Sequence, residues 1–220
     1  RQAEIDRLEC SGTEVIQNEA VAAIDVAILT NCFASRVLEK LVLNCSRNEE
    51  LGRLLDIVTE HAMELIPTEF GNFIVTKVLT KYPHCALNIA MKIAETSPDN
   101  LVAMAMDKHS SYVLEALFST LPPAGTIDFF TQLLKSDKVV AMACSESSAA
   151  VLCCLDLNSD DHGPLILQLR TSLQPERRAL EASGLKAGRK VIERFGLDAA
   201  WRAEDERLLQ EAAEEERLAQ

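Results

Sequence analysis

The sequence repeats itself about every 38 residues, and this period constrains the fold more than any other feature. Five ten-residue blocks align: FASRVLEKLV from Phe33, FGNFIVTKVL from Phe70, HSSYVLEALF from His109, SSAAVLCCLD from Ser147 and AGRKVIERFG from Ala187. Their starts lie 37, 39, 38 and 40 residues apart. Each block has small or polar residues at its second and third positions and two aliphatic residues at its fifth and sixth. A period of this length is typical of stacked supersecondary units.

The blocks fit helices better than strands. In FGNFIVTKVL, Phe70, Ile74 and Val78 recur every four residues, and Val75 and Leu79 extend the same helical face. A second apolar segment precedes each block, for example at residues 54–66, 101–106 and 139–144. Each repeat is therefore expected to hold two or three short helices that cannot bury their apolar faces alone, and stacking them produces an α-solenoid.

Turn-forming residues separate the helical segments. SPDN spans residues 97–100, LPPAGT spans 121–126 and NSDDHGP spans 158–164. Ser97, Asp99 and Thr126 are predicted helix caps, and Pro67 suits the first turn of the helix that follows it. Only 5% of the residues are aromatic, Gly and Pro are few, and Ala, Leu and Glu are abundant, which also favours an all-α protein.

Composition excludes several functional classes. The apolar runs fall short of the roughly 18 residues needed to cross a bilayer, so no membrane insertion is expected. The seven Cys, an odd number without a C-x-x-C pair, are predicted to be small buried hydrophobes in a reducing compartment. The four His lack metal-ligand spacing, and phosphate loops and nucleophile motifs are missing, so we expect no metal, no cofactor and no enzymatic activity.

Particular stretches resemble one family. ELIPTEFGNFIVTKVL, residues 64–79, looks like the Pumilio-homology (PUF) repeat, whose third helix typically opens with Gly-Asn-Tyr-Val-Ile-Gln. MDKHSSYVLEALF and TNCFASRVLEKLV resemble its Ser-Tyr and Ser-Arg variants. The resemblance implies a right-handed α-solenoid over residues 1–197, followed by an acidic C-terminal helix at 198–220. The expected repeats span approximately residues 12–46, 47–84, 85–122, 123–160 and 161–197.

In that family each repeat reads one RNA base with two edge-contacting side chains and one stacking side chain between them. The resemblance implies guanine contacts in the first and third repeats, since Ser plus Glu is the family's guanine combination. In the second repeat Thr76 stands where the family places Gln, which weakens an expected uracil preference. The predicted edge-contacting, stacking and edge-contacting residues are, in turn, Ser35, Arg36 and Glu39; Asn72, Phe73 and Thr76; and Ser111, Tyr112 and Glu115.

Two functions are compatible with these patterns. The first is binding of single-stranded, guanine-containing RNA in post-transcriptional regulation or in RNA or ribosome processing, in the cytoplasm, the nucleolus or an organelle. Basic residues such as Lys77 and Lys81 would then line the RNA-binding face. The alternative is a PUF-derived solenoid that has lost RNA binding and acts as a protein scaffold in a larger complex. The net charge of −12 and the fourth repeat, with Ala149, Ala150 and Cys153 in place of the reading residues, favour this alternative.

The C-terminal tail offers a further choice. Residues 201–220 hold seven acids and three Arg around scattered apolar residues. They are predicted to form either a solvated helix that caps the last repeat or a docking helix for another protein, with Trp201 as its anchor.

Overall fold

A computed structural model describes residues 26–44, 48–182 and 186–218. Two parts of the sequence predictions lie outside these ranges. They are residues 1–25, with Cys10 and the first part of the first repeat, and Cys45. All regular secondary structure within them is helical, which confirms the all-α prediction. The α-helices are α1 (Val26–Leu29), α2 (Ala34–Asn44), α3 (Asn48–Glu60), α4 (Ala62–Leu65), α5 (Gly71–Lys81), α6 (Pro83–Ala94), α7 (Pro98–Met106), α8 (Ser110–Thr120), α9 (Ile127–Lys135), α10 (Val139–Cys144), α11 (Glu146–Leu152), α12 (Gly163–Leu173), α13 (Arg177–Ala182), α14 (Lys186–Phe195) and α15 (Leu197–Leu218).

The five aligned blocks correspond to α2, α5, α8, α11 and α14, which we call the repeat helices. The chain divides into two compact units, one of residues 1–96 and 112–121 and the other of 97–111 and 122–220. In the first unit, α2 packs on α5, and α3 packs on α5 and α6. In the second, α7 packs on α9 and α11, α11 on α10 and α14, and α14 on α15. None of the helices in the described ranges is long and apolar enough to span a membrane.

The repeat helices bury the face that the periodicity predicted. Ile74, Val75, Val78 and Leu79 of α5 are completely buried, while Phe70, just before the helix, is half-buried. The fifth block position is also fully buried in later repeats, by residues Val113, Val151 and Val191. The strand-like composition of FGNFIVTKVL is overridden because four of its branched residues meet apolar neighbours on one side of a helix.

One repeat helix departs from this burial pattern. Three residues equivalent to Phe70, Ile74 and Val78 are exposed: Phe33, just before α2, by 80%, and Val37 and Leu41 of α2 by 59% and 47%. Leu38 and Val42, which are equivalent to Val75 and Leu79, remain buried, and α2 packs on α5. The repeat pattern therefore predicts which residues are apolar, whereas burial depends on whether a neighbouring helix covers them.

The C-terminal end of α2 is held by the next repeat helix. The Lys81 ammonium donates to the carbonyls of Val42, at 3.0 Å, and of Leu43. The Tyr82 hydroxyl also donates to the Val42 carbonyl at 3.0 Å. These bonds satisfy carbonyls that a helix end leaves without intrahelical partners. Lys81, which we expected to line an RNA-binding face, is therefore engaged in joining two repeats.

Three of the four residues predicted as helix caps or helix starts behave differently from expectation. Ser97 caps α7, since its hydroxyl accepts the Asn100 N–H at 3.3 Å, as predicted. Asp99 lies inside the first turn of α7 instead of capping it, and Pro67 lies in the turn before α5. Thr126 makes no cap. Its buried hydroxyl lies 2.8 Å from Nε2 of His162, which joins two short 3₁₀ turns in the second unit.

The tail helix caps its own unit. Trp201 of α15 is only 3% exposed, and its indole N–H donates to the Gln174 carbonyl at 3.1 Å. The Arg177 guanidinium lies over the Trp201 ring, 5.3 Å from its centroid. Of the two roles predicted for the tail, this burial favours the helix that caps the last repeat over the docking helix, because the Trp201 indole is already buried in an intramolecular contact.

Candidate functional site

The start of α5 shows why Gly-Asn follows Thr-Glu-Phe in this repeat. The Thr68 hydroxyl donates to the Leu65 carbonyl at 2.8 Å and accepts the Gly71 N–H at 3.0 Å, which makes a tight turn. A Cβ added at Gly71 would lie 2.8 Å from the Leu65 carbonyl oxygen. Only glycine therefore fits at this close approach, and the turn fixes where the following side chains point.

The three predicted stacking residues are exposed. Phe73 and Tyr112 are each 50% exposed, and Arg36 is also exposed. They occupy the fourth position of three successive blocks, and all three belong to the first unit. Half-exposed aromatic rings and an exposed guanidinium at equivalent positions of a repeat can each offer a flat surface to a base.

The first predicted edge-contacting residues are buried. Ser35 and Ser111 are 4% and 1% exposed, and their hydroxyls donate to the carbonyls of Cys32 at 3.4 Å and Lys108 at 3.2 Å. Asn72 is completely buried, and its amide nitrogen donates to the Thr68 and Glu69 carbonyls at 2.7 and 2.9 Å. The expectation that Asn72 faces outward beside Phe73 is thus corrected, because local backbone acceptors hold its amide against the turn.

The second predicted edge-contacting residues, Glu39, Thr76 and Glu115, are half-buried. Oε1 of Glu39 lies 3.6 Å from Nζ of Lys77, so the carboxylate of the first repeat is paired with a cation of the second. Among the buried side-chain atoms of the described ranges, Oγ1 of Thr76 and Oδ1 of Asn72 make no hydrogen bond. These two acceptors lie one helical turn apart on α5.

An aspartate sets the start of α8, the third repeat helix. One carboxylate oxygen of Asp107 accepts the Ser110 N–H at 2.8 Å, the Ser110 hydroxyl at 2.7 Å and the His109 N–H at 3.1 Å. Burial raises the pKa of Asp107, but the hydrogen bonds from Ser110 and His109 outweigh it and lower the pKa below its ordinary value. The charged form of Asp107 therefore fixes the turn that leads to Ser111.

The fourth and fifth repeats are built differently. Ala149 of the fourth repeat is buried, while Ala150 and Cys153 are partly exposed and offer no stacking plane. In the fifth repeat Arg189, Lys190 and Glu193 line a cavity of about 450 Å³, which sequence reasoning missed. The lining residues lie between Leu180 and Asp198 on three helices, α13, α14 and α15, and the sequence alone does not show how these helices surround a cavity.

The cysteines and histidines of the described ranges give no sign of a second site. Cys85 is buried, but Cys32, Cys144, Cys153 and Cys154 are only partly buried, so the prediction of uniformly buried cysteines is wrong for these four. The described ranges contain no group of three or more His, Cys, Asp or Glu arranged to hold a metal ion.

Comparison with known proteins adds two partial matches to a repeat model and a likeness in fold. The Pumilio-family RNA binding repeat matches residues 26–59 and 100–125. No curated protein sequence matches the chain significantly. The Puf3 RNA binding domain bound to a Cox17 RNA 3′ UTR recognition sequence has a TM-score of 0.66 at 15% identity, covering 83% of this chain and 52% of its own. The RNA-binding domain of yeast Puf5p bound to SMX2 RNA has a TM-score of 0.64 at 12% identity, covering 84% of this chain and 51% of its own.

A third structure, PUF-8 in complex with PBE-RNA, has a TM-score of 0.62 at 16% identity and covers 77% of this chain and 47% of its own. The chain thus spans about half the length of the structures it resembles. At these identities the likeness shows the fold, which is an all-α solenoid of the PUF class.

Proposed function

We propose that the chain is a divergent member of the PUF repeat family and that it binds single-stranded RNA through its first three repeats. The observation that carries the proposal is the exposure of Arg36, Phe73 and Tyr112 at one equivalent position of successive repeats. The Puf3, Puf5p and PUF-8 structures it resembles are described as bound to RNA. The expected role is in post-transcriptional regulation or in RNA or ribosome processing.

Stacking carries more of the proposed affinity than edge contacts do. Ser35, Asn72 and Ser111 are buried and bonded to backbone carbonyls, so they are poorly placed to meet a base. The carboxylates of Glu39 and Glu115 are half-buried and can accept from the N1–H and N2–H groups of guanine. We therefore propose guanines opposite the first and third repeats, and a base held chiefly by Phe73 opposite the second.

Charge decides how tight such binding can be. A chain with a net charge of −12 collects few phosphate contacts, and these contacts supply the salt-dependent part of RNA affinity. Lys81 joins two repeats and Lys77 is paired with Glu39. Both cations are therefore less available to contact RNA phosphates near Arg36, Phe73 and Tyr112. We expect binding that depends on stacking and falls only weakly with salt.

The test measures fluorescence anisotropy of the labelled RNA UUUGUGUUU between 50 and 200 mM salt. Each stacked base is worth about 1–3 kcal/mol, so Phe73→Ala and Tyr112→Ala should each weaken binding by roughly 5- to 150-fold. Phe33→Ala is the matched control, because Phe33 is 80% exposed but lies outside the stacking position. Equal losses for Phe33→Ala and Phe73→Ala would contradict the proposal.

A protein scaffold without RNA binding is the second candidate. The acidic charge, the fourth repeat without reading residues and the buried Ser35, Asn72 and Ser111 favour it. It predicts that the wild-type protein binds no RNA in the same titration at any of these salt concentrations. The Phe73→Ala and Tyr112→Ala variants should then fold normally and also bind no RNA.

A further inference from the structure

One ion pair in the first unit connects two repeats at the candidate site. Nζ of Lys77 on α5 lies 3.6 Å from Oε1 of Glu39 on α2. Both side chains keep partial access to solvent, 39% for Lys77 and 29% for Glu39. The pair lies where α2 packs on α5, so it is held by two helices of the same unit.

From this geometry we propose that Lys77 is a specificity-determining residue, which positions the Glu39 carboxylate to discriminate guanine from adenine opposite the first repeat. The inference rests on the proposed RNA binding. Lys77 itself reads no base in this scheme. It acts through Glu39, from the neighbouring repeat.

The geometry leaves the carboxylate free to accept a base. A carboxylate has two oxygens and about four acceptor sites, so the ammonium 3.6 Å from Oε1 does not occupy all of them. Guanine presents two donors, N1–H and N2–H, to such a group, whereas adenine presents an acceptor at N1 and is repelled. Holding the Glu39 side chain in one orientation before RNA arrives reduces the rotamer entropy lost on binding, which for Glu is among the larger side-chain values.

The repeats supply an internal comparison. Glu115 occupies the position of Glu39 in the third repeat, but the residue that corresponds to Lys77 in the fourth repeat is Cys154. Discrimination by Glu115 therefore cannot depend on an equivalent lysine. A variant of Lys77 should alter reading at one guanine of the RNA and leave the other unaffected.

The experiment uses the full chain and three RNAs, UUUGUGUUU, UUUGUAUUU and UUUAUGUUU. By the orientation of the PUF family, the later repeat meets the 5′ guanine, so the 3′ guanine faces the first repeat. In Lys77→Met we expect the preference for G over A at the 3′ position to fall by about 3- to 10-fold, as expected for the loss of one ordered side chain. The preference at the 5′ position should stay within about twofold of wild type.

Lys77→Arg keeps the charge and should restore most of the preference at the 3′ position. Because loss of a cation weakens all RNAs alike, the ratio between RNAs isolates the positioning effect from general electrostatics. An unchanged or increased ratio at the 3′ position, or an equal fall at both positions, would overturn the role of Lys77 while leaving RNA binding intact. Wild-type protein that binds none of the three RNAs would overturn both proposals.

Discussion

Val37 and Val113 occupy the same fifth position of two blocks, and both lie in the first unit, yet their surroundings differ completely. Val37 is 59% exposed on α2, while Val113 on α8 is fully buried. Truncating each to alanine removes the same two methyl groups from the same kind of repeat helix. The difference between the two variants therefore measures what coverage of this position contributes to stability.

The magnitudes follow from burial. Two buried methyl groups represent about 1.6 kcal/mol of transfer free energy, and the cavity left behind adds roughly 1 kcal/mol. Alanine recovers about 0.5 kcal/mol in helix propensity relative to valine. Val113→Ala should therefore lower the free energy of unfolding by about 2 kcal/mol. Val37 has less than half of its surface to lose, so Val37→Ala should fall within about 0.5 kcal/mol of wild type.

Urea unfolding followed by circular dichroism measures both variants. With an m-value of about 2 kcal/mol/M, the midpoint should move by about 1 M for Val113→Ala and by about 0.25 M or less for Val37→Ala. The m-values must agree for the comparison to hold. A loss for Val37→Ala as large as that for Val113→Ala would mean that the outer face of α2 is covered in solution, and the reasoning from its exposure would fail.

Three further predictions concern individual side chains. His162 is 2% exposed, accepts the Asp156 N–H at 2.9 Å through Nδ1 and packs edge-on against Phe130. His162→Ala should therefore lower the free energy of unfolding, measured by thermal unfolding, by about 3 kcal/mol. The control His84→Ala, at an exposed position, should lower it by less than about 0.5 kcal/mol. The pKa of Asp107 is lowered in the folded state, so its stabilisation is present at neutral pH and lost as pH falls through that lowered value. In the Asp107→Asn variant the loss of stability between pH 5 and pH 2 should be smaller than in wild type, and an identical pH profile would contradict this. Burial raises the pKa of the Cys85 thiol, as does nearby Asp56, against a hydrogen bond from Thr59. Peptide mapping after iodoacetamide treatment at pH 8 should find Cys85 labelled more slowly than Cys32, and equal rates would refute its burial.

The periodicity was sufficient to predict the helices and their buried face, because packing between repeats depends on a pattern that recurs locally in the sequence. Ile74, Val113, Val151 and Val191 are buried as their shared block position implies. The same pattern assigns Val37 to this face, and here burial fails. Whether a repeat is covered depends on a neighbour, and a repeat's own residues do not carry that information.

The candidate site was less predictable for a related reason. The predicted stacking residues Phe73 and Tyr112 are half-exposed, since they lie within their helices at positions away from the apolar face. Asn72 was misplaced because its environment is set by the Thr68 and Glu69 carbonyls in the preceding turn. The two roles of the Trp201 helix stayed open because the Gln174 carbonyl that accepts its indole N–H lies 27 residues away in the sequence. Contacts of this kind follow from tertiary structure and leave no local signature.

The fourth repeat shows that packing and reading are separable properties of a repeat helix. Val151 and Leu152 of α11 are completely buried, as are their counterparts Val113 and Leu114 in α8. Ala150, however, stands where α8 carries Tyr112, and offers a base no ring on which to stack. Side chains on opposite faces of one helix are under different constraints, since one face must fill the space between repeats and the other is exposed to solvent. A preserved solenoid is therefore compatible with any number of reading repeats from none to five, and only the exposed positions, helix by helix, can decide how many bases such a chain holds.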